Sequence, residues 1–216
     1  MKAAAPPRRR ARREHRIEAI LQAAQDVFLD QGYEATTLDL IARRAKASKA
    51  TIYAHFRDKV GLFEAILAAY IKNTQMPLHD PDHTAAEALR RFGSGFLTLM
   101  LSPPVLAFYR MIVNKGVEMP ELAKLWYTNG PRRMIGGVGA FLAERTRAGE
   151  FDIDNPELAA ELFLMSLRGS LHLQAVTGLI RPPFDAAISE KVNAAVQMFL
   201  RAYARPTTPP RHRSRS

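Results

Sequence analysis

Residues 37–56 read TLDLIARRAKASKATIYAHF, and this stretch decides the fold. Its apolar residues form two short patterns with helical spacing, Leu38, Ile41 and Ala45 followed by Ile52 and Phe56. Thr37 and Ser48 precede the two patterns, and both residue types cap helix N-termini well. Helices this short are marginal in water, so longer helices must hold them. A pair of this kind is what a helix-turn-helix DNA reader needs, because one helix braces the other against the major groove.

Longer amphipathic patterns flank this pair. The pattern before it spans about residues 12–31, and its apolar face consists of Ile17, Ile20, Leu21, Ala24, Val27 and Phe28. Gly32 follows at the position where a helix commonly ends in the left-handed conformation. Asp58 caps a further long helix, whose apolar face consists of Leu62, Phe63, Ile66, Leu67, Tyr70 and Ile71. Together these patterns predict a helix-turn-helix domain over residues 12–73, with the helix-turn-helix itself at about 37–56.

The rest of the chain also has helical patterns and no strand-like alternation. Residues 74–83 contain two prolines and no period, which favours a junction between domains. Five further helices are predicted, over about residues 84–101, 102–116, 120–148, 155–177 and 185–204, with a kink or break at Gly130-Pro131. The sequence therefore predicts an all-α fold of about nine helices. A larger C-terminal helical domain, residues 82–204, follows the helix-turn-helix domain.

The formal net charge of +10 is concentrated at the two ends of the chain. Residues 1–73 carry 14 Lys/Arg against 8 Asp/Glu, and residues 201–216 carry 5 against none. We expect a disordered basic arm over residues 1–11 and a disordered basic tail over residues 205–216. Arginines 8–10, 12 and 13 either reach the minor groove and phosphates of DNA or are only solvated.

Composition excludes several classes of protein. The chain has no cysteine, so disulfides, thiolate metal sites and cysteine nucleophiles are excluded. It also has no apolar run long enough to cross a bilayer, and because no apolar segment follows the N-terminal arginines we expect no secretory signal. We expect a cytoplasmic protein, associated with the nucleoid when bound to DNA, with no cofactor, no metal and no membrane partner.

The second short helix presents polar groups on its outward face. Lys49, Ala50, Thr51, Tyr53 and His55 supply a cation, hydroxyls, an imidazole and a small methyl. Such groups suit phosphate oxygens, base edges and the thymine methyl. The residues therefore predict that this helix contacts double-stranded DNA.

Five segments carry a resemblance to a known family: ILQAAQDVF (20–28), QGYEATT (31–37), IA (41–42), SKATIYAHF (48–56), and DK (58–59) with LF (62–63). Over about residues 16–67 the chain resembles the N-terminal domain of the TetR family of bacterial transcriptional regulators. The resemblance implies a homodimeric helix-turn-helix regulator. Such a regulator is commonly a repressor that leaves its operator when a small ligand enters the C-terminal domain.

By residue match the resemblance implies DNA contacts at Thr37, Ser48, Lys49, Thr51, Tyr53, His55 and Lys59. Tyr53, His55 and Lys59 are expected to hold mostly phosphates, with Lys49, Ala50 and Thr51 nearest the bases. Each residue has a structural alternative. Tyr53 is otherwise a half-buried core aromatic, and His55 is otherwise a capping or surface histidine. Arg43 and Arg44 either contact DNA or form a solvated helix face.

Three positions depart from the family pattern. Lys46 stands where glycine is usual in the turn between the two short helices. A non-glycine residue in a left-handed turn costs roughly 1 kcal/mol, and the added cation is expected to contact DNA. Ala50 stands where glycine is frequent and Val60 where glutamate is frequent, so base preference cannot be inferred.

The last two predicted helices favour a homodimer. The helix over about 155–177 is apolar around most of its circumference, so it must be covered on several sides. The same helices, 155–177 and 185–204, in a second subunit are the simplest cover; a central core helix of a monomer is the alternative. The segments Pro120-Glu-Leu, Asn155-Pro-Glu and Arg168-Gly-Ser-Leu-His172 are similar to the AefR-type subgroup.

A small-molecule effector would need an apolar pocket with few polar groups. The candidate lining residues are aromatic and methionine side chains of the middle helices: Phe92, Phe96, Met100, Phe108, Met111, Trp126, Tyr127 and Met134. Each of them is otherwise an ordinary core residue.

Two other functions are weighed against regulation. A sequence-neutral basic DNA-binding protein would bind through charge alone. A small helical enzyme would need an assembled site, and none can be built from spacing. His79-Asp80-Pro81-Asp82-His83 lacks helical metal-ligand spacing, and Gly136-Gly137-Val138-Gly139 follows no strand as a phosphate loop would. We therefore expect that the protein is not an enzyme.

Overall fold

The computed structural model describes residues 7–73, Leu78 and 83–205, and this part of the chain forms ten α-helices with no β-strand. Their bounds are α1 Pro7–Ala35, α2 Leu38–Arg44, α3 Lys49–His55, α4 Lys59–Asn73, α5 Ala85–Met100, α6 Pro103–Lys115, α7 Pro120–Asn129, α8 Pro131–Arg147, α9 Pro156–Val176 and α10 Asp185–Tyr203. The predicted all-α fold is confirmed. The tenth helix arises because the predicted break at Gly130 divides residues 120–148 into α7 and α8.

The two predicted disordered ends differ from the structure where it describes them. The predicted arm is wrong for residues 7–11, which are the first residues of α1. Pro7 suits a first helical position, and the arginines and alanine that follow are good helix formers. In the predicted tail, the backbone N–H of Arg205 donates to Glu150 O at 3.0 Å. Residues 1–6 and 206–216 of the predicted arm and tail lie outside the described residues.

Local signals at the helix ends are confirmed. Gly32 interrupts α1 with φ 81° and ψ 165°, a conformation open to glycine because it has no Cβ. Thr84 and Glu87 form both hydrogen bonds of a capping box at the start of α5. The Asn155 side chain accepts a hydrogen bond from Leu158 N at the start of α9. These side chains satisfy backbone N–H groups that a helix leaves unpaired.

The chain divides into two compact units. The first contains α1–α4 together with residues 102–132, so α6 and α7 belong with the N-terminal helices. Its core includes Phe28, Phe63 and Phe108, and the Phe63 and Phe108 ring centroids are 5.5 Å apart. This grouping differs from the predicted one, which assigns residues 102–132 to the C-terminal domain with the rest of 82–204.

The second unit contains α5, α8, α9 and α10. Gly93 of α5 allows a close approach, because a Cβ built there would lie 3.2 Å from Val192 and 3.3 Å from Leu167. The Phe163 and Phe199 rings join α9 to α10, with centroids 5.3 Å apart. The unit is therefore a helix-on-helix core with aromatic packing.

No single helix among the described residues has both the length and the apolar character needed to span a bilayer. The consecutive helices α5 and α6 are long and apolar enough only when their lengths are added, and the chain bends between them.

Candidate nucleic-acid interface

The two short helices are held to the rest of the first unit by buried side chains. Ile41 of α2 and Ile52 of α3 are fully buried, and Phe56 closes the same core cluster. Thr37 Oγ1 accepts a hydrogen bond from Leu40 N at 3.3 Å, and Ser48 Oγ accepts one from Thr51 N at 3.1 Å. Each helix has only seven residues, so this packing and capping fix helices that would not persist alone.

The outward face of α3 is exposed as the sequence predicts. Lys49, Ala50 and Tyr53 lie on the surface, and Thr51 and His55 are partly buried. Tyr53 is 56% exposed, so much of its side chain is accessible on this face of α3. The structure therefore brings the predicted base-reading and phosphate-binding residues of α3 onto one accessible surface.

The turn between α2 and α3 contains the departure at Lys46. Lys46 has φ 50°, and it is the one non-glycine residue with positive φ among those described. The left-handed conformation expected from the missing glycine is confirmed. This strain of roughly 1 kcal/mol is tolerated because the packing on both sides of the turn fixes the backbone. The turn consequently presents an exposed ammonium beside α3.

Two predicted DNA-binding cations are ion-paired within the first unit. Lys49 Nζ lies 2.7 Å from Asp39 Oδ1, and the hydrogen bond to Asp39 raises the pKa of Lys49 above its ordinary value. Arg44 lies 3.2 Å from Asp30 and 3.9 Å from Asp26. All these pairs are largely exposed, and such pairs are weak. Lys49 and Arg44 must therefore leave or share a carboxylate to contact a phosphate or a base.

Lys59 has a structural role that its position in the sequence does not show. Its ammonium donates to three backbone carbonyls, Tyr33 O at 2.7 Å and Glu34 O and Thr36 O each at 3.2 Å. It also lies 4.4 Å from the centroid of the Tyr33 ring. Partial burial lowers the pKa of Lys59 below its ordinary value. An ammonium has three N–H donors, so these bonds leave none for a phosphate.

The hydroxyls of the site are also engaged locally. Thr37 and Ser48 serve as helix caps, and Ser48 Oγ lies 2.9 Å from Thr51 Oγ1. The Ser48 and Thr51 hydroxyls can each still form a further hydrogen bond, because each oxygen has two lone pairs and one proton. Arg43 lies on the exposed side of α2.

A cleft beside α3 was missed by sequence reasoning, and we call it the basic cleft. It has a volume of 610 Å³ and is lined by Arg12, His15, Arg16, Ala19, Ala45, Lys46, Ala47, Ser48 and Thr51. The lining residues of α1 are spaced i, i+3, i+4 and i+7, which places them on one face of that helix. The sequence shows this shared helix face through the spacing, but it does not show that the face lies opposite the turn between α2 and α3.

The predicted ligand-pocket residues are divided between the two compact units. Phe92, Phe96, Met100 and Met134 lie in the second unit, and Phe108, Met111, Trp126 and Tyr127 lie in the first. Tyr127 is 48% exposed, whereas Phe92, Phe96 and Phe108 are buried core residues. Neither unit by itself therefore contains the whole predicted set.

Of the two sequence features weighed as enzyme-like sites, only the glycine-rich segment is fully described, and it is not a phosphate loop. Gly136 and Gly137 lie inside α8, so the glycine-rich segment is helix and not a phosphate loop. Residues 79–82 of the histidine- and aspartate-rich segment lie outside the described residues. Within the described ranges there is no group of three or more residues that could hold a metal ion.

The second unit carries exposed apolar side chains on the predicted dimer helices. On α9 these are Leu158, Leu162, Met165 and Leu173, and on α10 Met198. Gly169 interrupts α9 with φ 41° and ψ −144°, which the apolar pattern of the sequence did not predict.

Comparison with known proteins gives two family matches. Residues 20–66 match the family described as bacterial regulatory proteins, tetR family. Residues 87–205 match the C-terminal domain of AefR-like transcriptional repressors. The second match alone covers more than half of the chain.

Relatives and solved structures agree with these matches. The flavonoid-responsive regulator FrrA is 34% identical, with a TM-score of 0.71, and the match covers 90% of this chain and 100% of that one. A TetR-family regulator from Mesorhizobium loti MAFF303099 is 26% identical, with a TM-score of 0.74 over 90% of this chain and 99% of that one. The HTH-type transcriptional regulator YhgD of Bacillus subtilis is 28% identical over 160 residues, or 69% of this chain and 78% of YhgD.

Proposed function

This chain belongs to the TetR family of bacterial transcriptional regulators, and on that premise we propose that it is a homodimeric repressor that leaves a palindromic operator when a small apolar ligand binds. It is a DNA-binding transcriptional regulator and not an enzyme. One observation carries the proposal: a pair of capped seven-residue helices presents Lys49, Thr51 and Tyr53 on an accessible surface. Because its partner is chromosomal DNA, we place the protein in the cytoplasm.

The exposed apolar face of α9 supports dimerisation through α9 and α10. Leu158, Leu162 and Met165 recur at i, i+4 and i+7, so they form one stripe along the helix. Contiguous apolar surface of this kind is rare on monomers and marks an interface. A second copy is the occupant that we propose, since a two-fold axis pairs the stripe with itself.

Dimerisation gives the operator its symmetry. Two recognition helices about 34–36 Å apart enter successive major grooves on one face of DNA. A two-fold related pair then reads an inverted repeat. A ligand that favours a different separation of the two helices weakens both contacts at once, provided that it binds the two states with different affinity.

An aromatic small molecule is the ligand class that we favour. FrrA is named as a flavonoid-responsive regulator, and its match covers nearly all of this chain. Within the second unit, the stacked rings of Phe92 and Phe96 offer aromatic surface for a planar apolar ligand. We expect a flavone to lower the affinity of the protein for its operator, whereas glycerol at the same concentration leaves that affinity unchanged.

The test of regulation uses the full chain and sheared DNA from its source genome. Fragments retained by the protein in excess random duplex are sequenced, and the enriched fragments are footprinted. We expect protection of one inverted repeat. Equal affinity for enriched and random duplexes would support the alternative of a sequence-neutral basic protein.

The dimer is tested separately with Leu162→Lys, in the middle of the apolar stripe. Two charges facing each other across a two-fold interface should shift the molar mass in solution from dimer to monomer without unfolding the chain. Val117→Lys is the matched control, since Val117 is 92% exposed and lies in the first unit. A dimeric Leu162→Lys protein would contradict this interface.

A further inference from the structure

The exposed cations of the predicted DNA-binding surface differ in their partners, and Arg43, which has no ion pair among the described residues, does not line the basic cleft. Arg44 and Lys49 pair with carboxylates and Lys59 donates to carbonyls, as described above. Arg12, Arg16 and Lys46 make no ion pair with any residue that the structure describes, and all three are exposed. These three cations converge on the basic cleft.

The cleft has two walls that belong to different elements. One wall is the face of α1 that carries Arg12, His15 and Arg16. The other is the turn of residues 45–47, followed by the N-cap Ser48 and by Thr51 in the first turn of α3. The alanines in the lining, Ala19, Ala45 and Ala47, are small and leave room between the charged side chains.

The lining carries three fixed positive charges and no carboxylate. Cations that face one another without an intervening acid repel, and a bound anion removes that repulsion. Two guanidinium groups supply paired N–H donors that match the oxygens of a phosphodiester. The hydroxyls of Ser48 and Thr51 add short donors beside them.

We propose that the basic cleft is a phosphate-binding site for the DNA backbone, in which Arg12, Arg16 and Lys46 hold a phosphodiester next to the bases that α3 reads. The site rests on the proposed function, because Ser48 and Thr51 belong both to its wall and to the DNA-facing α3. It extends the interface to the N-terminal half of α1 and gives the non-glycine turn residue Lys46 a contact of its own.

The variant Arg12→Ala/Arg16→Ala tests the proposal, and Arg13→Ala is the matched control. Arg13 is exposed on the same helix and does not line the cleft. Affinity is measured by fluorescence anisotropy on a random 30-base-pair duplex and on an enriched genomic fragment, between low and moderate salt. Each phosphate contact contributes about 0.9 to the slope of log affinity against log salt concentration.

We expect Arg12→Ala/Arg16→Ala to make that slope shallower on both duplexes, by about 1.8 for one lost phosphate in each subunit of a dimer. The ratio of affinities for the enriched and random duplexes should stay within twofold, because phosphate contacts carry no sequence information. Arg13→Ala should change the slope by less than half as much.

Two results would overturn the site. The first is a change in Arg13→Ala of half the double variant's change or more, which would reduce the effect to general charge because Arg13→Ala removes one charge and the double variant removes two. The second is an unchanged slope in Arg12→Ala/Arg16→Ala, which would show that the cleft holds no DNA phosphate, whether or not it binds inorganic phosphate. If the proposed function is wrong, the result is different: the wild-type protein binds the enriched fragment and the random duplex with equal affinity.

Discussion

Lys59→Met separates two roles for a lysine that the resemblance assigns to DNA. Methionine keeps most of the apolar stem and removes the ammonium. If Lys59 holds a phosphate, the variant loses salt-dependent affinity and keeps its stability. If Lys59 anchors the end of α1, as its bonds to Tyr33 O, Glu34 O and Thr36 O indicate, the variant loses stability and keeps its salt dependence.

The size of the stability loss follows from the geometry. A hydrogen bond from a charged group contributes about 1.5–3 kcal/mol when it is sheltered and less where water competes. The bond of 2.7 Å to Tyr33 O is part-buried, and the bond of 3.2 Å to Glu34 O is exposed. With the contact to the Tyr33 ring adding about 0.5 kcal/mol, we expect a total loss of roughly 3 kcal/mol.

The assay combines thermal unfolding with DNA binding. For a chain of this length, 3 kcal/mol corresponds to a fall in the unfolding midpoint of roughly 6–12 °C. Protein concentration is held constant, because dimerisation would otherwise shift the midpoint. Lys49→Met is the control, since its ammonium forms only an exposed ion pair with Asp39 and its loss should leave the midpoint unchanged.

The opposite pattern would refute the structural role. An unchanged midpoint for Lys59→Met, with a salt slope shallower by about 0.9 per subunit, would return Lys59 to the phosphate contacts. Binding is measured well below the unfolding midpoint, so that partial unfolding of the variant cannot imitate a lost contact.

Three further predictions concern the turn, the base-reading face and the second unit. Lys46→Gly should change unfolding free energy by no more than about 0.5 kcal/mol, because relief of left-handed strain is offset by the freedom of glycine in the unfolded chain; calorimetry checks this, and a shallower salt slope should accompany it. Thr51→Ala should change the ranking of operator variants in a binding array, whereas Tyr53→Phe should weaken all of them alike; identical rankings for wild type and Thr51→Ala would contradict the base-reading role. Burial, with the nearby Arg168 charge, lowers the pKa of His172 to about 4. The unfolded chain therefore takes up this proton near pH 6.5 and the folded chain does not, so this contribution to stability is complete above pH 6.5 and is lost as the pH falls to 4. Urea unfolding of wild type should show a loss of roughly 2 kcal/mol over that range relative to His172→Gln.

Features set by neighbouring residues could be predicted from the sequence. The caps at Thr37 and Ser48, the positive φ of Gly32 and the strained turn at Lys46 depend on a few adjacent residues, and all appear in the structure. The break at Gly130 followed from the proline after it. Such features need no knowledge of how the chain folds back on itself.

Features set by distant residues could not be predicted. Lys59 bonds to carbonyls 23 to 26 residues earlier, and no periodicity marks such a pairing. The basic cleft likewise joins one face of α1 to a turn about thirty residues later. Residues 102–132 belong to the first unit because they pack against it, as Phe108 does against Phe63. A continuous run of helical patterns in the sequence does not show this packing.

The assignment of α6 and α7 to the first unit bears on the ligand-dependent release that we propose. Met111 and Trp126 pack against the same hydrophobic cluster that contains Ile52 of α3. Asn129 Nδ2 also donates to Leu125 O at 3.1 Å and lies 3.5 Å from Glu64 Oε1 of α4. Moving a two-state equilibrium from 1:99 to 99:1 takes about 5.5 kcal/mol of differential binding. Opening or filling a core site of one large side chain changes energies by about 2–5 kcal/mol. Under the proposed function, a ligand that displaces about two large side chains of α6 or α7 would act on the helix-turn-helix core with an energy of the required size, without contacting α3 itself.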